Sequence, residues 1–154
     1  MTFMSDATTP RLDVALLGTT LDRIIRLLRR SKLPGDLSPV AASTLYTLVH
    51  HGPSRLTALA SAEHVTQPAM TQVVTRLEQA GLVTRAADPD DRRALVIDAT
   101  DAGRELTGAR RAARAAVLDE LVSQLHPEAR DTLAAAIPVL EQLVAIADER
   151  GSTH

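Results

Sequence analysis

Apolar residues along this chain recur first at helical spacing. Leu17, Leu21, Ile24 and Leu28 lie one turn apart, with Asp22, Arg23, Arg26 and Arg30 between them. That pattern predicts an amphipathic helix ended by Pro34 and Gly35. A second helix opens on Ser38 as N-cap with Pro39 in its first turn, where a missing amide costs nothing. Ala41, Leu45, Leu48 and Val49 mark its apolar face, and Gly52-Pro53 closes it. Thr57 is placed to cap a short helix over 58–63, and His64-Val65 makes a tight connection. Thr66 then caps a further helix with Gln67 and Pro68 in its first turn and a stripe of Met70, Val73, Val74 and Leu77. Ala80-Gly81-Leu82 reads as a left-handed glycine stop, with Leu82 folding back on Leu77.

Past that stop the period changes. Residues 82–86 and 93–99 are short and partly β-branched; Leu95, Ile97 and Ala99 alternate with Ala94, Val96 and Asp98. The intervening 87–92 is rich in turn formers, so a β-hairpin is expected. Thr100 caps a long helix carrying Leu106, Ala109, Ala113, Val117, Leu121 and Leu125. Pro127 starts a last helix with Leu133, Ile137, Leu140 and Val144 on one side, and Pro138 inside it removes one backbone bond and is expected to kink it. The predicted fold is mainly α with a small β-hairpin. Helix, short helix, helix and hairpin is the order of a winged helix-turn-helix, in which the third helix enters the major groove of DNA and the hairpin reaches the flanking backbone or minor groove.

Composition narrows the alternatives. The 154 residues are 45% hydrophobic and 23% charged with a net charge of −2, as in an ordinary globular domain without an overall basic field. No apolar run approaches the roughly 18 to 20 residues of a membrane helix, and the first ten residues do not read as a secretory signal. A cytoplasmic location is expected. The chain has no cysteine, which excludes disulfides, thiolate metal sites and thiol-based redox switching. Phe3 and Tyr46 are its only aromatics, too few for a stacking platform for single-stranded nucleic acid.

If Met70, Val74 and Leu77 face the core, the third helix presents Gln67, Pro68, Ala69, Thr71, Gln72, Thr75 and Arg76 outward. Gln72 suits an adenine edge, Thr71 a base or phosphate, and Pro68 and Ala69 a thymine methyl; Arg76 is better placed for phosphate. Thr66 and Gln67 lie at the helix N-terminus, whose free amides favour a phosphate. In the hairpin tip Asp88, Asp90 and Asp91 surround Arg92 and Arg93. A carboxylate paired with an arginine there orients the guanidinium, and a narrow minor groove attracts an inserted arginine.

The segment from Asp88 to Thr100 resembles the wing signature of the MarR (multiple antibiotic resistance regulator) family, an Asp-x-Arg followed after five residues by Leu-Thr and soon by Gly. Asp91, Arg93, Thr100 and Gly103 fall into that pattern, with Ala99 where the family usually has Leu. Arg76-Leu77-Glu78-Gln79-Ala80-Gly81-Leu82-Val83 is similar to the family's Arg-Leu-Glu-x-x-Gly-Leu-Val. The resemblance implies a repressor or activator of transcription, most simply a repressor, that binds a pseudo-palindromic operator in double-stranded DNA as a homodimer. It also implies that Arg93 is the minor-groove arginine and Asp91 its orienting partner. The expected organisation is an N-terminal arm and dimerisation helix at 1–34, a winged helix-turn-helix lobe at 35–100 and dimerisation helices at 101–154. The terminal helices carry more apolar surface than a small winged module covers, which agrees with a dimer core.

The resemblance also implies a candidate small aromatic or anionic effector, since many relatives lose DNA affinity when such a compound binds between the dimer and DNA-binding lobes. Tyr46 and His50, one turn apart on the second helix, are the candidate effector residues, with simple packing as their alternative role. Adjacent His50 and His51 point about 100° apart on a helix, and no pair of histidines has the i, i+4 spacing of a helical zinc site, so neither metal nor cofactor is expected. Without a Gly-rich phosphate loop, nucleophile elbow or triad, enzymatic function is not expected either. The competing class is an all-helical protein–protein interaction module without DNA binding.

Overall fold

The computed structural model describes residues 12–30, 32–88 and 95–151. Two units separate along the chain, Met1–Lys32 and Leu33–His154. In the first, α1 (Val14–Arg30) starts at Asp13, whose Oδ1 accepts from the Leu16 amide at 2.9 Å. It ends at Arg30, before the expected Pro34–Gly35 stop, and none of its residues is buried.

The second unit begins with α2 (Pro39–His51), capped as expected: the Ala41 amide donates to Ser38 Oγ at 3.2 Å, and Gly52 closes the helix at φ 87°. The next elements differ from those expected. Ser54–Arg55 forms a two-residue strand, β1, and the chain passes from it directly into α3 (Leu56–Ala62). The N-cap of α3 is therefore Arg55, extended and without a side-chain cap bond, and not Thr57. After α4 (Gln67–Gln79) come β2 (Val83–Ala87) and β3 (Leu95–Ala99), then α5 (Asp101–Ser123) and α6 (Pro127–Gly151). Helix α6 runs through Pro138.

The expected hairpin is two-thirds of a three-stranded antiparallel sheet in the order β1-β3-β2. Val83 pairs with Ala99 and Ala87 with Leu95; on the other side of β3, Arg55 pairs with Val96. Having neighbours on both sides changes the burial of β3. The alternation expected on it holds for Ile97 and Ala99, but Leu95 is exposed and Val96 is buried.

The core of this unit joins Leu45 and Leu48 of α2, Leu59 of α3, Met70, Val74 and Leu77 of α4, and Val83 and Ile97 of the sheet. Thr44, fully buried, turns its hydroxyl to Met70 Sδ at 3.8 Å. Helix α4 ends in a Schellman motif: the Leu82 amide donates to Leu77 O and the Gly81 amide to Glu78 O, both at 2.9 Å, with Gly81 at φ 71°. Thr100 then clasps that turn. Its amide donates to Leu82 O at 3.0 Å, its hydroxyl donates to Gly81 O at 2.7 Å, and its Oγ accepts the Gly103 amide at 3.1 Å. The approach is so close that a Cβ on Gly103 would lie 2.2 Å from Leu82 O. Further along α5, Arg110 Nη1 donates to the carbonyls of Pro34 (2.6 Å) and Gly35 (3.0 Å), holding the turn that leads into α2. Burial, and secondly Arg114, lower the pKa of Arg110 from its ordinary value, but a guanidinium stays charged at neutral pH.

Because the obstacle at Gly103 is backbone, it has no flexible end to move aside. Gly103→Ala is expected to destabilise the folded chain by about 1–3 kcal/mol, as overpacking does; urea unfolding followed by circular dichroism reads the change. Gly108→Ala, where nothing lies within 4 Å of the added Cβ, is the control and should be neutral or stabilising.

Candidate nucleic-acid interface

The turn between α3 and α4 sets the direction of the exposed helix. His64 takes a left-handed conformation, φ 52°, that a non-glycine residue seldom adopts. It lets the Val65 amide reach Ala60 O at 3.0 Å and the His64 amide reach Ser61 O at 3.1 Å, closing α3 tightly. Thr66 comes next in extended backbone, and its Oγ accepts the Ala69 amide at 3.4 Å, a long cap bond. One tight stop and one cap thus place α4 directly after α3.

Helix α4 divides as its sequence predicts. Met70, Val74 and Leu77 are fully buried, while Gln67, Pro68, Gln72 and Arg76 are exposed. Pro68, Gln72 and Arg76 succeed one another at i, i+4 and so form one outward row. Ala69, Thr71 and Thr75 are half-buried at its flanks. Both threonine hydroxyls are already donating: Thr71 to Gln67 O at 2.9 Å and Thr75 to Thr71 O at 2.8 Å. Their oxygens remain acceptors, suited to a base amino group; a phosphate would require the helix bond to be given up.

Two ion pairs that local sequence patterns do not signal tie the sheet into this arrangement. Arg85 of β2 donates from Nε to Glu78 Oε2 of α4 at 3.1 Å and lies 3.5 Å from Thr75 Oγ, joining the wing strand to the exposed helix. Arg55 of β1 donates from both Nε (2.8 Å) and Nη2 (2.6 Å) to Asp88 Oδ2. The sequence groups Asp88 with the acids around Arg92 and Arg93; in the structure its carboxylate is buried and pairs with Arg55 across the sheet. The candidates Asp91, Arg92 and Arg93 lie outside the described residues.

On α2, Tyr46 and His50 are not packed in the core: Tyr46 is exposed and His50 lies at the surface beside it. Their rings stack on each other at 3.8 Å with 22° between planes, and His50 Nδ1 sits 2.9 Å from Tyr46 O. With Nδ1 donating there, Nε2 of the neutral ring is left as an acceptor. Among the described residues no group of three or more His, Cys, Asp and Glu is arranged to hold a metal ion, and no helix is long and apolar enough to cross a membrane.

Comparison with known proteins agrees with this geometry. The sequence profile of the MarR family matches residues 37–95. The chain is 36% identical over 124 residues to the HTH-type transcriptional regulator Mb0904 of Mycobacterium bovis, covering 79% of this chain and 87% of that one. It is 31% identical over 94 residues to the HTH-type transcriptional repressor NicR of Pseudomonas putida, covering 61% and 60%. Among solved structures, RV1404 from Mycobacterium tuberculosis superposes with a TM-score of 0.76 at 26% identity, over 88% of this chain and 96% of that one.

The left-handed His64 gives a stability test of the turn. His64→Gly removes the Cβ penalty at positive φ and is expected to raise stability by about 1 kcal/mol. The measurement is the urea midpoint, and a fall in stability would show that the His64 side chain itself contributes to the turn.

Proposed function

The chain belongs to the MarR family of DNA-binding transcriptional regulators, and from that premise we propose that it is a homodimeric repressor in the cytoplasm, binding a pseudo-palindromic operator. The observation that carries the reading is the outward row Pro68, Gln72 and Arg76 on α4, opposite a fully buried stripe and tied to strand β2 through Glu78–Arg85. In this reading Gln72 reads a base edge, flanked by Gln67, Pro68, Ala69 and Thr71, while Arg76 meets a phosphate and the Thr66 hydroxyl and Gln67 amide at the helix start meet another, the Ala69 amide being taken by the cap and Pro68 having none. Thr75, whose Oγ already receives Arg85, acts at the helix's edge. Arg93, oriented by Asp91 and flanked by Arg92, enters the minor groove.

The lobe is assigned to 35–100 and dimerisation to 1–34 and 101–154. Support comes from apolar residues that the single chain leaves open: Leu21, Ile24 and Ile25 on α1, and Leu133, Ile137, Leu140, Leu143 and Ile146 on α6 are all at least 37% exposed. Unpaired apolar faces of this extent call for a partner surface. The Tyr46–His50 stack at the surface of α2 offers a ring face and the Nε2 acceptor to a small aromatic effector carrying a hydrogen-bond donor.

The decisive experiment is fluorescence anisotropy with a duplex from upstream of the protein's own gene, against a scrambled duplex, at several salt concentrations. Tight, salt-sensitive binding that prefers the upstream duplex is expected, because phosphate contacts release counterions. Gln72→Ala should cost roughly 1–3 kcal/mol on the preferred duplex and little on the scrambled one. Arg93→Ala should weaken both and lower the salt slope by about 1. Equal binding by both variants and the wild type would refute these assignments.

A second measurement addresses the dimer. Sedimentation of the wild type should give twice the 16.5 kDa chain mass. Ile137→Asp, at a residue 51% exposed in the single chain, should shift it to one chain mass while leaving the α2–β3 lobe folded.

A further inference from the structure

The Arg55–Asp88 pair has features that neither the core nor the base-reading helix requires. β1 and β2 are not neighbours; they flank β3 on opposite sides, about 10 Å apart at ordinary strand spacing. Arg55 and Ala86 both pair with Val96, so Arg55, Val96 and Ala86 share one face, and Asp88, two residues beyond Ala86, continues it. The Ile97 face carries the core, so Arg55 reaches Asp88 across the face of β3 turned away from the helices. Val96, on the strand between the two and on the same face, is only 7% exposed on what a hairpin alone would leave as an outer face. Asp88 is the residue at which the chain leaves β2 for the wing tip. Its side chain is 8% exposed, its Oδ2 takes two charge-assisted bonds, and the arginine holding it is 51% exposed. A carboxylate so buried and doubly bonded is fixed in place, and it carries the root of the wing with it.

We propose that Arg55 and Asp88 are positioning residues for the wing: the pair locks the end of β2 to β1 across the sheet, and thereby sets where the wing meets the DNA backbone. The inference rests on the DNA-binding reading above. It assigns a role to a negative charge in a module that must approach phosphates, a charge that simple electrostatics would remove.

That opposition of signs provides the test. The full-length protein is titrated against the upstream duplex by anisotropy over a range of salt, and its unfolding midpoint is measured without DNA. Asp88→Asn deletes a negative charge, so through charge alone it would tighten binding. Positioning predicts roughly five- to tenfold weaker binding and a salt slope shallower by about 1, the signature of lost phosphate contacts. Arg55→Lys keeps the charge on a half-exposed side chain but gives up the two-donor grip. It should move affinity and salt slope in the same direction by a smaller factor, and it serves alone if Asp88→Asn does not fold. In the Arg55→Gln background, where the pair is already broken, Asp88→Asn should cost less than it does in the wild type. A folded Asp88→Asn that binds as tightly as the wild type, or Arg55→Lys with unchanged affinity and salt slope, overturns the inference alone. Absence of salt-sensitive duplex binding by the wild type overturns the DNA-binding reading, and the inference with it.

Discussion

The lobe depends on one close approach, that of Thr100 and Gly103 to the turn at Gly81–Leu82. Four hydrogen bonds converge on Thr100, two of them to carbonyls of the turn and two from amides of the first turn of α5. The missing side chain of Gly103 lets the backbone of α5 rest against Leu82 O. The end of α4, the end of β3 and the start of α5 are thus fixed at one point. Because β2 leaves from the same turn, the sheet inherits its position relative to the exposed helix. Glu78–Arg85 adds a second tie between α4 and β2, on the other side of the Schellman turn.

This node also gives the two sequence motifs a physical meaning. Arg-Leu-Glu-x-x-Gly-Leu-Val ends in the residues whose carbonyls are clasped, and the wing signature ends in the residues that clasp them. Far apart along the chain, they form one joint. The substitution of Ala99 for the usual Leu falls beside it, yet Ala99 is buried and paired with Val83, so the smaller side chain leaves the register intact.

Much of the architecture is legible in the sequence because it is local. Ser38, Thr66 and Thr100 cap the helices whose starts they mark, Gly81 stops α4, and the buried stripe of α4 keeps the helical period. The illegible part is long-range. A two-residue strand has no periodicity to detect, so β1 escapes a reading of local pattern, and with it the true start of α3 and the burial of Val96. Arg55 and Asp88 are 33 residues apart, and nothing in either neighbourhood marks the other as its partner. Of the candidate site, the exposed face of α4 is readable for the same local reason. The occupied state of the Thr71 and Thr75 hydroxyls is not, since a threonine in a helix can donate inward or outward.

Those committed hydroxyls bear on how much sequence discrimination a single lobe supplies. With Thr71 and Thr75 reduced to acceptors, Gln67 and Gln72 are the candidate side chains on α4 with both a donor and an acceptor to offer a base edge, and each such contact is worth only about 1–3 kcal/mol. A regulator needs several orders of magnitude over random sequence. Two lobes held at a fixed separation multiply that modest discrimination, since binding of the second becomes intramolecular once the first is seated. The apolar faces of α1 and α6 are then part of recognition: in the proposed dimer they set the separation of the two α4 helices, and operator half-sites must match it. In the proposed reading, a ligand seated at Tyr46–His50, on a helix packed into the same core as α4, would have only to alter that separation to weaken binding, with the proposed base-reading side chains left in place.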